Sequence, residues 1–172
     1  MFLVGLPGSG KTTVGKQLAR RLGLTFIDSD HAIENRLGCT IRDYFEREGE
    51  VAFRDAEQSM IDELTQRRGI VLSTGGGAVL REANREALKS RGWVVYLKST
   101  PATIYRRLKH DQTRPLLQVE DPLKKLKDLY RQRDPLYRDV AHHVLETGRP
   151  SVSALVNMIS MQLEQQDLTD PS

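Results

Sequence analysis

Apolar residues along this chain alternate between two patterns. Short runs rich in β-branched side chains read as strands: Phe2-Leu3-Val4, Leu24-Thr25-Phe26-Ile27, Ile70-Val71-Leu72-Ser73, Trp93-Val94-Val95-Tyr96-Leu97 and His143-Val144-Leu145. Their nearly continuous apolar character predicts strands covered on both faces. Between them lie longer stretches of helical spacing, about 12–22, 29–37, 41–67, 81–90, 101–109, 121–134 and 151–166. Gly23, Gly38, Gly69 and Gly92 each follow such a stretch, where a left-handed closing residue is expected. Pro101 behind Ser99-Thr100 and Pro122 behind Asp121 read as first-turn prolines after a capping residue. The alternation predicts an α/β fold, a parallel sheet with helices on both faces and a ligand site beyond the carboxyl ends of the strands. One domain over residues 1–172 is expected, without repeats or linkers and with a polar, frayed tail from Gln165.

Between the first strand and the first helix runs Gly5-Leu6-Pro7-Gly8-Ser9-Gly10-Lys11-Thr12, which matches the pattern G-x-x-x-x-G-K-[ST]. Glycines there let successive backbone N–H groups turn inward around phosphate oxygens, and the helix dipole adds positive charge. Lys11 supplies a mobile cation for β- and γ-phosphates, and Thr12 a hydroxyl for Mg²⁺. The expectation is an ATP-type phosphate site.

Composition narrows the class only a little. The 172 residues carry 26 Lys+Arg against 23 Asp+Glu, a net +3, which is too weak to argue for nucleic acid. A single cysteine, Cys39, excludes an internal disulfide and suits a reducing compartment. No apolar run approaches the ~20 residues that span a bilayer. The glycine loop follows the first strand so closely that no signal peptide is expected, which points to the cytoplasm.

Candidate acceptor chemistry follows the second strand. Asp28 and Asp30, two positions apart, are expected on one face of an extended segment pointing into the crevice. One carboxylate would hold hydrated Mg²⁺; the other would orient an acceptor hydroxyl and take its proton. Ser29 or Asp30 is also placed to cap the next helix. Arg54 and Glu57 are i,i+3 neighbours, which on the helix alone reads as a routine surface pair. Together with Arg133, however, Arg54 would suit a substrate carboxylate. Gly75, Gly76 and Gly77 end the third strand, where missing side chains let a ligand touch backbone N–H groups. The polar stretch 110–120 reads as a lid, with Arg114 placed to close over a transferring phosphoryl group. Between Lys98 and Pro150 there are 12 Lys/Arg and 7 Asp/Glu, a local +5 that places the basic excess around that lid.

Taken together and in this order, these segments resemble those of shikimate kinases: the loop Gly5–Thr12, Asp28-Ser29-Asp30, Gly49-Glu50 with Phe53-Arg54, the triple glycine, Arg114-Pro115-Leu116-Leu117 and Arg133-Asp134-Pro135-Leu136-Tyr137. The resemblance covers roughly residues 2–165 and is far more specific than any one motif. It implies a P-loop fold of the nucleoside monophosphate kinase type, five parallel strands in the order 2-3-1-4-5, a substrate-binding helical region at about 31–60 and a lid at about 110–121. It implies transfer of the ATP γ-phosphoryl group to the 3-hydroxyl of shikimate, with Mg²⁺, by a monomer of the chorismate route to aromatic amino acids. By the same resemblance Gly8, Ser9, Gly10, Lys11, Thr12 and Thr13 hold the nucleotide phosphates, Thr12 and Asp28 the metal, and Asp30 the acceptor hydroxyl. Arg54 and Arg133 grip the carboxylate, Glu57 positions Arg54, Gly75, Gly76 and Gly77 give backbone contacts, Arg114 is the lid arginine, and Arg149 with Pro150 lies on the adenine side. One departure is the short lead into the first strand, which in the family begins several residues earlier.

Two rival readings share many of these residues: another small-molecule P-loop kinase acting on gluconate or a nucleotide, and a non-catalytic relative that binds shikimate. Lys11, Asp30 and Arg133 all being present argues against the second. Cys39 is expected as small buried filler, Trp93 as core, and His142-His143 on opposite faces of a strand, unable to share a metal. His31 and His110 stand alone in the sequence, with His110 near the lid.

Overall fold

A computed structural model of the chain describes residues 1–109 and 119–169. The elements run β1 Phe2–Val4, α1 Lys11–Leu22, β2 Thr25–Asp28, α2 Ser29–Leu37, α3 Ile41–Glu48, α4 Glu50–Leu64, β3 Ile70–Ser73, α5 Glu82–Arg91, β4 Val94–Lys98, α6 Pro101–Leu108, α7 Pro122–Val140, β5 His143–Glu146 and α8 Val152–Thr169. All four strand pairings are parallel, and the order is β2-β3-β1-β4-β5, as the family resemblance implies.

Alternation along the strands divides the core in two. Phe2, Val4, Leu72, Val94 and Tyr96 face one layer with α4, α5 and α7; Leu3, Val71, Val95 and Leu97 face the other with α1 and α8. This is a sheet buried on both faces. Thr100 and Asp121 cap α6 and α7 ahead of Pro101 and Pro122, as expected.

Five details differ from the sequence reading. The stretch 41–67 is two helices, because Gly49 (φ 89°, ψ 173°) takes a conformation closed to other residues and turns the chain between α3 and α4. Helix α7 does not stop at residue 134; it runs through Pro135 to Val140, even though proline removes the N–H that would serve the Arg131 carbonyl. Gly92 is extended (φ −167°) rather than left-handed; it is small because a Cβ there would lie 2.5 Å from the Phe2 ring. The tail does not fray at Gln165: α8 continues to Thr169. Cys39 is half-buried beside Arg47 rather than buried, and Trp93, half-buried on the second core, stacks on His143 at 6.1 Å. His142 points elsewhere, accepting from the Val94 N–H at 3.0 Å.

Candidate active site

The crevice opens at the carboxyl ends of β1, β2 and β3, a cavity of about 470 Å³ walled on one side by the glycine loop. Gly8 (φ 82°) and Gly10 (φ 96°) hold left-handed backbone that side chains disfavour, and Gly10 leads directly into α1. The loop therefore aims backbone N–H groups and a helix amino terminus at one point. Lys11 is buried, its Nζ donating to the carbonyls of Gly5 (2.7 Å) and Leu6 (2.9 Å). Gly8, Gly10, Lys11, Thr12 and Thr13 all line the cavity; Ser9 is buried behind it, its Oγ without a partner among the described residues.

Opposite the loop stand the two aspartates, placed differently from the sequence reading. Asp28 ends β2 and is itself the cap of α2: its Oδ1 accepts from the N–H groups of Asp30 (2.9 Å) and His31 (3.2 Å). The extended segment ends at Asp28, and Asp30 projects from the first turn of the helix, yet both reach the cavity. Ser29, expected as a cap, is instead buried and accepts from the Gly75 N–H at 3.1 Å, tying α2 to the triple glycine. Burial raises the Asp30 carboxyl to about 6, and the neighbouring charges of Asp28 and Glu57 add to this against the opposing pull of Lys11.

The triple glycine makes room for side chains. A Cβ on Gly75 would lie 2.5 Å from Asp30 Oδ1, one on Gly76 2.7 Å from Pro7 and 3.3 Å from Arg133 Nη1, and one on Gly77 would collide with the Arg54 guanidinium. One glycine thus admits each of the three polar groups expected at an acceptor. The pair Arg54–Glu57 (2.8 Å) is not the surface bridge that helical spacing alone suggests: Glu57 is 2% and Arg54 15% exposed. Glu57, its carboxyl raised by burial against the pull of Arg54, also feels the charge of Arg133. The Nε groups of Arg54 and Arg133 are buried with no hydrogen-bond partner among the described residues, though Glu50 Oε1 stands 3.8 Å from the Arg54 Nε as an ion pair. Buried donors on two arginines whose hydrogen bonds are unmade mark where an anion would be received.

Helix α7 holds Arg133 through two tyrosines. Tyr137, fully buried, donates from its hydroxyl to the Gly76 carbonyl at 2.5 Å. Its ring packs on Tyr96 at 5.0 Å, and Tyr96 in turn donates to Asp134 Oδ1 at 2.7 Å. Sequence reasoning missed Arg107, which lines the cavity, reaches the Gly8 carbonyl (3.4 Å) and donates to the Thr147 carbonyl (2.7 Å). Its helical spacing from Thr103 and Ile104 was the available signal. Arg149 is not in this crevice; with Pro150 it borders a neighbouring cavity of about 400 Å³ beside α6. His110, Arg114 and most of the expected lid lie outside the described residues.

Thr12 and Asp28 suit Mg²⁺. Thr12 Oγ1 lies 3.5 Å from Asp28 Oδ2, the oxygen not used in capping. Among the described residues no cluster of three or more histidine, cysteine or acidic side chains could hold a metal. A hydroxyl beside one free carboxylate oxygen is a donor set for a small hard cation bound by one or two carboxylates plus substrate phosphates.

Sheet order, glycine loop and facing carboxylates define a P-loop phosphotransferase of the nucleoside monophosphate kinase type. Comparison with known proteins narrows this. The family model for shikimate kinase matches residues 7–164. A shikimate kinase of Ralstonia nicotianae is 57% identical over 99% of this chain and 90% of its own length. One from Paracidovorax citrulli is 58% identical over 100% and 96%. The solved structure of shikimate kinase from Acinetobacter baumannii in complex with shikimate superposes with a TM-score of 0.91 at 50% identity, covering 98% of this chain and 94% of that one. The chain belongs to the shikimate kinase family.

Proposed function

We propose that this chain transfers the γ-phosphoryl group of ATP to the 3-hydroxyl of shikimate, giving shikimate 3-phosphate and ADP for the chorismate route to aromatic amino acids. The observation that carries the reading is the pair of arginines from two different helices, packed against Gly76 and Gly77 next to the glycine that adjoins the Asp30 carboxylate, each with a buried Nε that has no hydrogen-bond partner among the described residues. Two guanidiniums match one planar carboxylate, and an aspartate beside them matches a ring hydroxyl.

The backbone N–H groups of Gly8 to Thr13 receive the phosphates, and the Lys11 Nζ exchanges the Gly5 and Leu6 carbonyls for β- and γ-phosphate oxygens. Arg54, positioned by Glu57, and Arg133 fix the acid; Gly75, Gly76 and Gly77 let the ring approach. Asp30, ionised at neutral pH yet more basic than an ordinary carboxylate, orients the 3-hydroxyl and accepts its proton as that oxygen bonds to the γ-phosphorus. The bond from the γ-phosphorus to the bridging oxygen of ADP breaks. When bound through Thr12 and Asp28, Mg²⁺ supplies charge neutralisation on the β- and γ-phosphates. Arg114, in a lid at about 110–121, adds positive charge to the transferring group, and Arg149 faces the adenine side. The helical region at about 31–60 receives the acceptor. The protein works as a cytoplasmic monomer.

The test is a screen of acceptors by ADP release. Turnover is expected with shikimate; turnover of gluconate or AMP without shikimate would remove the assignment, and ATP binding without turnover of any acceptor would leave only a binding protein.

A further inference from the structure

On the far side of Thr12 and Asp28 from the crevice lies a second cavity, of about 570 Å³, in the size range of ligand pockets. It follows the open edge of β2, which has β3 on one side only. One wall is the α1 stripe of Thr12 and Lys16, the other the α2 stripe of His31 and Asn35. The edge of β2 runs along the floor, with Phe26 turned toward the α1 side and Ile27 toward the other layer, and Leu64 and Arg67 close the far end.

Three observations point to an occupant of defined chemistry. The Thr25 N–H donates to the Gly69 carbonyl at 3.0 Å, so Thr25 and Ile27 direct their backbone to β3 and Phe26 directs its own N–H and carbonyl to the open edge. The floor offers an aromatic face, with Lys16 Nζ 5.9 Å above the Phe26 ring. Among the described residues, the side chains of Lys16, His31 and Arg67 meet no carboxylate at ion-pair distance, although nearby surface arginines such as Arg36 and Arg91 do. The one acid lining the groove, Asp28, stands at its crevice end. Arg67 stands at the other, since Gly69, two residues on, pairs with the first residue of β2.

We propose that this groove is a second ligand site, for a small organic carboxylate with a flat apolar body. The body lies along the β2 edge against Phe26, and the carboxylate, directed away from Asp28, takes the charges of Lys16 and Arg67 and the Phe26 N–H. The site shares a wall with the phosphate loop but uses none of the acceptor residues Asp30, Arg54 or Arg133.

The test titrates the full chain with 2-naphthoate, with and without saturating shikimate, and follows backbone amide NMR shifts. Saturable shifts are expected at Lys16, Phe26 and Arg67 whether or not shikimate is present. The double variant K16A/R67A is expected to keep its kinase rate and bind naphthoate about tenfold or more weakly, as is the native chain for the uncharged 2-naphthalenemethanol. Shifts confined to Gly76 and Gly77 that shikimate abolishes would mean that naphthoate occupies only the crevice. That outcome, equal binding by the double variant, or equal binding of the alcohol would each overturn the proposal.

Discussion

The two walls of the crevice are built from different materials. The phosphate wall is one contiguous run, Gly5 to Thr13, whose working groups are mainly backbone N–H donors on a loop shaped by glycine. The acceptor wall is assembled from side chains on α2, α4 and α7 that meet around Gly75, Gly76 and Gly77. A backbone cradle tolerates change in its neighbours, because its donors belong to every residue. A side-chain wall depends on each rotamer, and each of its charges stays in place only while buried neighbours hold it. Changes on the acceptor wall should therefore alter shikimate handling while leaving ATP affinity near its original value.

The largest effect is expected where the two walls meet, at Asp30. Asp30→Asn should lower kcat by ~10²–10⁴-fold if the carboxylate removes the proton, with ATP still bound. In the native chain kcat/KM for shikimate should fall about tenfold per pH unit below about 6, where Asp30 takes up a proton. Stability runs the opposite way. The folded carboxyl, at about 6 against 3.8 unfolded, binds a proton that the unfolded chain has released. Its contribution to stability is therefore greatest below 3.8 and is lost as pH rises through 6. At pH 8 the asparagine variant should be more stable by about 1–3 kcal/mol, seen as a higher Tm, and that gain should vanish toward pH 4. An inactive variant without a gain in Tm at pH 8 would mean that Asp30 is not held against its own charge.

Arg133→Ala comes next. It removes a guanidinium whose Nε is already buried without a partner, so KM for shikimate should rise about 10²-fold with KM for ATP little changed. A smaller loss is expected from Gly77→Ala, whose added methyl forces Arg54 aside while leaving its charge in place. Displacing a positioning group by about 1 Å costs on the order of 10–10²-fold in kcat/KM for shikimate. If ATP affinity fell in step in either variant, the two walls would not be separable.

Much of this was legible in the sequence, and the division follows the same line. All five strands and the phosphate loop are contiguous patterns, so local rules reach them. The burial of Arg54 and Glu57 is not local: helical spacing shows a pair but not that the triple glycine closes over Arg54 and that Arg133 of α7 comes near Glu57. Gly49 and Pro135 misled in opposite directions. A glycine between two apolar stripes was hidden by the helical spacing on either side of it, and a proline inside α7 is tolerated because buried Tyr137 and Val140 hold the last turns in place. The cap of α2 fell to Asp28 rather than Ser29 because Ser29 is drawn inward to the Gly75 N–H. Arg107 carries no motif; only the return of α6 over Gly8 brings it to the phosphates' side.

The smallest effect is the most informative about how the acceptor wall is held. Tyr137 touches neither phosphate loop nor Asp30; its hydroxyl bonds the Gly76 carbonyl while its ring rests on Tyr96, four residues beyond Arg133 on the same helix. Tyr137→Phe keeps the ring and deletes the hydroxyl's bond to the Gly76 carbonyl together with its contact to the Arg133 side chain, a net loss of about 0.5–1.5 kcal/mol. If the bond only stabilises the fold, Tm falls by a few degrees and kinetics stay as they were. If it sets Gly76 and Arg133 for the acceptor, KM for shikimate rises about 3–10-fold, the same free energy read as affinity, while kcat and KM for ATP stay within about twofold. The second pattern is expected, because the carbonyl it holds belongs to the glycine that passes between Pro7 of the phosphate loop and Arg133 of the acceptor wall.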